Sequence, residues 1–140
     1  MIETNQVEVR RVLPAPVDEV FRWWTEPALL RRWMSPVGEV EAEVDLRVGG
    51  QLRIVMKDGA VEIEHHGEYF EIDPPRRLVF TWHSRYTGGG SLVTVSLEPA
   101  GEASTRVLIV HSQLPPSAAE SHAGGWAAML ERLEREVDAS

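Results

Sequence analysis

The sequence predicts an α+β domain: a curved seven-stranded antiparallel sheet around a long C-terminal helix, with two short helices after the first strand. Three observations carry this expectation. Ser117 to Val137 reads as a single amphipathic helix. From Glu39 to Gln113 the apolar period is two, and turn residues divide that stretch into six strands. Ahead of it lie one strand-like segment and two short stretches of helical period.

In chain order, Val7 and Val9 open an alternating segment from about Gln6 to Leu13, and Pro14-Ala15-Pro16 closes it. Pro16 suits the first turn of a helix, and Val17, Val20, Phe21 and Trp24 follow at helical spacing. Thr25-Glu26-Pro27 starts a second short helix carrying Leu29, Leu30 and Trp33, and Ser35-Pro36-Val37-Gly38 stops it. Val40, Ala42 and Val44 then alternate with acidic residues up to a Gly49-Gly50 turn. Leu52, Ile54 and Met56 form the next apolar face, ended by the hairpin signal Lys57-Asp58-Gly59. Val61, Ile63, His65, Gly67 and Tyr69 lead towards Ile72 and the turn Asp73-Pro74-Pro75. Leu78, Phe80 and Trp82 precede the triple glycine 88–90, which reads as a flexible hairpin at the edge of any cavity. Val93, Val95 and Leu97 come next, with a turn expected at Pro99-Ala100-Gly101, and Val107, Ile109 and His111 end the sheet.

A meander with one apolar face needs a cover, and only the last helix is long enough to supply it. Ser117 with Glu120 has the form of a capping box. His122, Trp126, Met129, Leu130, Leu133 and Val137 share one helical face, and Glu131 to Glu136 supplies most of the other. Gly124-Gly125 inside the helix costs roughly 1 kcal/mol per glycine relative to alanine, which suggests close approach by another backbone, or a bend.

Composition narrows the function. The 140 residues make one domain, with its core from about 7 to 137 and no repeat, low-complexity tract or linker. The absence of cysteine excludes disulfides, thiolate metal sites and cysteine nucleophiles. A formal charge of -8 argues against a nucleic-acid partner. No apolar run reaches a membrane span, and Met1-Ile2-Glu3-Thr4-Asn5 lacks the character of a signal peptide, so a cytoplasmic location is expected.

Several stretches resemble the START-like (SRPBCC, Bet v-like) helix-grip superfamily. They are Val17-Asp18-Glu19-Val20-Phe21, Leu29-Leu30-Arg31-Arg32-Trp33, Asp45-Leu46-Arg47-Val48-Gly49-Gly50, Gly67-Glu68-Tyr69, the run from Ile72 to Trp82, and His122 with Gly125-Trp126. Within it the chain is most similar to the branch of homologues of the heat-shock-chaperone ATPase activator. The resemblance implies a sheet wrapped around the last helix with a cavity between them. It does not imply one activity, because relatives include lipid carriers, hormone and allergen-type ligand binders, polyketide cyclases and chaperone activators. The eukaryotic activators carry an additional N-terminal domain for which this chain has no room.

Placing both inward faces together gives the expected lining: Trp33, Leu52, Ile54, Met56, Phe80, Trp82, Val95, Ile109, His111, Trp126, Met129 and Leu130. His111, His122, Tyr69 or an indole N–H would orient the polar end of a ligand. His65 and His66 must face opposite sides of their strand, so at most one points inward. No ligand spacing supports a metal, no serine lies on a nucleophile elbow, the strand carboxylates read as solvated, and no cofactor is expected. The leading expectation is a binder of a small hydrophobic molecule (a lipid, polyketide or aromatic), acting as a monomer or homodimer. The alternatives are an aromatase/cyclase-type enzyme with His111 as base, and a protein-partner module using its acidic outer surface.

Overall fold

The computed structural model describes residues 5–87 and 90–139; of the triple glycine, Gly88 and Gly89 lie outside these. The sheet has the order β1-β7-β6-β5-β4-β3-β2, every neighbouring pair antiparallel. Its strands are β1 (Asn5–Leu13), β2 (Glu39–Val44), β3 (Gln51–Asp58), β4 (Val61–Asp73), β5 (Arg77–Trp82), β6 (Ser91–Gly101) and β7 (Ser104–Leu114). The order follows from sequential hairpins, with β1 added at the far edge beside β7. Helices α1 (Val17–Thr25) and α2 (Pro27–Leu30) follow β1, and α3 (Pro116–Ala139) closes the chain.

Alternation decides which side chains face α3. β6 and β7 bury Val93, Val95, Leu97, Val107, Ile109 and His111, the residues of one pleat face. β3 buries Leu52 and Ile54, and β5 buries Leu78, Phe80 and Trp82. Val55 and Val79 are buried as well, although they point the other way.

Three local expectations shift. Pro16 occupies the cap of α1 rather than its first turn. The turn expected at Pro99-Ala100-Gly101 falls at Glu102-Ala103, because Pro99 still pairs with Thr105 and Gly101 with Ser104. A register shift between Pro99 and Gly101 lets the strand carry a proline that has no N–H to give. α3 begins at Pro116, so Ser117 lies inside its first turn and cannot cap it.

The sheet turns at β4. Its first part pairs with β3 and its last part with β5, and a lone His66–His83 bridge joins them. At this corner a Cβ on Gly67 would stand 1.7 Å from the Thr81 carbonyl oxygen, so only glycine fits. Gly67→Ala is expected to cost at least about 3 kcal/mol by forcing β4 off β5. A urea titration of that variant checks it; an unchanged midpoint would show that the corner can open freely.

α3 is held unevenly. Arg132 donates to the Ser35 and Gly38 carbonyl oxygens at 3.1 Å. Arg11 pairs with Glu134 at 3.0 Å and Arg32 with Glu136 at 3.1 Å. All of these lie in the last turns, which also bury Leu130, Leu133 and Val137. The first turns rest on Ala118 and Ala119. The helix backbone runs close to β1 and β7 and stands further from β3 and β4.

Candidate functional site

That stand-off leaves a cavity of about 470 Å³ between α3 and the β3–β4 hairpin. From the helix come Ser121, His122, Gly125, Trp126 and Met129; from the sheet come Met56, Val61, Ile63, His65 and Trp82. Pro36, Val37, Asp58 and Tyr86 complete it. Val37, Val61 and Tyr86, each more than half exposed, make an apolar collar around the mouth. Isolated exposed apolar residues need no explanation, but a ring of them at an opening gives an apolar molecule somewhere to land.

Gly125 explains how the cavity stays open. A Cβ built there, or on Gly124, meets nothing within 4 Å. The expected close approach of another backbone is therefore absent at both glycines, and the missing side chain of Gly125 is cavity space.

Of the residues expected to line this space, Met56, Trp82, His122, Trp126 and Met129 do so. Leu52, Ile54, Phe80, Val95, Ile109 and Leu130 pack into the solid core away from it. Trp33 is fully buried, edge-on to Trp24 with ring centres 4.7 Å apart, and its indole N–H donates to the Trp23 carbonyl oxygen at 3.0 Å. Tyr69 is buried edge-on to Phe80, its hydroxyl without a hydrogen-bond partner, and burial raises its pKa. His65, earlier on the same buried face of β4, lies on the cavity wall instead.

His111 belongs to a closed chain of hydrogen bonds. The Trp126 indole N–H donates to His111 Nδ1 at 2.9 Å. Nε2 must then carry the ring proton, and it donates to Ser91 Oγ at 2.8 Å. The Ser91 hydroxyl passes its own hydrogen to the Trp82 carbonyl oxygen. Both ring nitrogens are therefore engaged inside the protein. Burial, and the charge of His122, hold the His111 pKa down to about 3. Ser91→Ala would leave the His111 N–H unmet. A loss of about 1–3 kcal/mol in chemical denaturation is expected, and no loss would mean the chain holds nothing together.

His65 and His122 are the histidines that reach the cavity. His65 stacks on Trp82 with ring centres 4.5 Å apart, and its Nδ1 is buried with no partner. Burial, then the charge of His122, lower its pKa to about 4. His122 turns Nδ1 onto the Ala118 carbonyl oxygen at 2.8 Å, one helical turn back, and its ring meets that of His111 edge-on at 5.2 Å. In the neutral ring this leaves Nε2 as a free acceptor. The missed wall residues include Val61, Ile63 and Tyr86, with Pro36, Val37, Asp58 and Ser121. Val61 and Ile63 were legible as one strand face, but nothing local signalled which end of that face would stay uncovered. No group of three or more metal-ligating side chains occurs among the described residues.

Comparison with known proteins places this geometry. The family model described as Activator of Hsp90 ATPase homolog 1-like protein matches residues 14–138. Among solved structures, Mll3558 from Rhizobium loti is similar at 26% identity and a TM-score of 0.82, over 97% of this chain and 99% of that one. CalU16 from Micromonospora echinospora is 25% identical with a TM-score of 0.76, over 96% of this chain and 76% of that one. DynU16, a protein in the dynemicin biosynthetic locus, is 26% identical with a TM-score of 0.79, over 95% of this chain and 47% of that one. No curated protein matches. No helix among the described residues is long and apolar enough to cross a membrane.

Proposed function

Starting from the fact that the chain belongs to the Activator of Hsp90 ATPase homolog 1-like family, we propose that it binds a small, largely apolar molecule between sheet and last helix. The observation that carries this is the open cavity of about 470 Å³, walled by Met56, Trp82, Trp126 and Met129. Its size falls in the range of roughly 300–1,000 Å³ common to small-molecule sites, and few polar groups converge on it. Likeness to DynU16, a protein of a biosynthetic locus, supports a small molecule as the partner over a macromolecule.

The geometry favours binding over catalysis by His111. A base needs a free nitrogen within reach of the substrate, and both nitrogens of that ring are committed to Trp126 and Ser91.

Titration with fatty acids, flavonoids and polyketides tests the reading through tryptophan emission, since Trp82 and Trp126 form part of the wall. A saturable change with at least one class is expected, as is a carried molecule in the native mass spectrum. No response to any class, with a native mass equal to that of the bare chain, would overturn it.

A further inference from the structure

Resting on the cavity reading, we propose that the site selects uncharged, hydroxyl-bearing aromatic molecules and rejects carboxylate anions of the fatty-acid kind. The argument begins with charge. Among the described residues no lysine or arginine lines the cavity, while Asp58 puts a carboxylate at its rim. Lys57 pairs with Glu41 at 2.6 Å and Arg132 is held by the Ser35 and Gly38 carbonyl oxygens, while Arg85 lies over the exposed Tyr86 ring at the mouth, at 5.2 Å, and is not part of the lining. An incoming carboxylate would lose its water, meet no paired cation, and face Asp58.

The polar groups inside point the same way. His122 presents Nε2 as an acceptor, so it asks for a donor. A hydroxyl can give the hydrogen bond that this nitrogen asks for, whereas a carboxylate can only receive. The walls favour flat rings: Trp82 and Trp126 lie 5.7 Å apart, and His65 extends the row.

Three matched probes test this at pH about 8, above the ordinary imidazole range. They are naphthalene, 2-naphthol and 2-naphthoate, titrated by calorimetry into the intact protein. Naphthol is expected to bind several-fold to about tenfold more tightly than naphthalene, the worth of one good hydrogen bond. Naphthoate is expected to be the weakest of the three. His122→Leu should abolish the advantage of naphthol over naphthalene, the two being compared in the same variant. Asp58→Lys, at an exposed rim position, should strengthen naphthoate alone. If naphthoate binds as well as naphthol, the selectivity is overturned and the cavity reading stands. If none of the three binds, both fall together. If the naphthol preference survives His122→Leu, the hydroxyl is not read by that ring and the assignment is overturned.

Discussion

Acidification from pH about 6.5 to about 4 is expected to remove much of the stability of this protein. His65 and His111 fold uncharged. In the unfolded chain each takes up a proton near 6.5, in the folded chain only near about 4 and about 3. Across that interval the unfolded state holds more protons, so stability falls as pH falls. Above the unfolded value neither state is charged and the contribution is complete; below the folded values no more is lost. Each pH unit of separation is worth about 1.4 kcal/mol, so each histidine contributes on the order of 3 kcal/mol. Against a total of roughly 5–15 kcal/mol, losing both terms would unfold a domain of ordinary stability. The exposed carboxylates Glu41 and Glu64 have pKa values lowered from 4.5 by Lys57 and Arg53, so what they contribute is lost only as pH falls through and below 4.5, at the acid end of this interval. Urea midpoints measured across the interval check the slope. His65→Phe keeps a ring stacked on Trp82 and should flatten its part of the profile. A midpoint that stays constant from neutral pH to about 4.5 would show that these rings are not buried uncharged.

Filling the cavity from its own wall should have the largest effect on binding. Gly125→Leu points an apolar side chain into the cavity, and its Cβ meets nothing within 4 Å. The helix gains roughly 1 kcal/mol from losing a glycine. The expected variant is at least as stable as the parent and fails to take up any ligand that the parent binds. Gly124→Ala is the control: that glycine does not line the cavity, so the gain in stability should come without a change in affinity. Thermal melts with ligand titrations on both variants separate the outcomes. Undiminished binding by Gly125→Leu would place the ligand elsewhere.

The architecture was largely legible because pleat and helix periods are local properties. Val93, Val95 and Leu97, or Trp126, Met129 and Leu133, declare their faces by spacing alone. The site was legible only in part, because a period names a face but not a depth along it. Leu52, Ile54 and Met56 share one face of β3, yet only Met56 reaches the cavity. The difference lies in the distance to α3, which no short window contains. Gly124-Gly125 advertised a cost, but crowding and vacancy carry the same signature in a sequence. His111 was readable as an inward ring. Its partners Ser91 and Trp126 are 20 and 15 residues away and meet it only in the folded chain.

The uneven anchoring of α3 makes it a lever with its fulcrum at Arg132. Beyond that point Arg11 and Arg32 hold the last turns through Glu134 and Glu136. Before it, among the described residues, no ion pair ties the helix to the rest of the chain: Ala118, Ala119, Trp126 and Met129 are buried there, and the Trp126 indole bonds His111. Amide deuterium uptake along α3 should therefore grade from slow after Leu130 to fast before Gly124. A guest would enter by lifting the loose end, without breaking an ion pair.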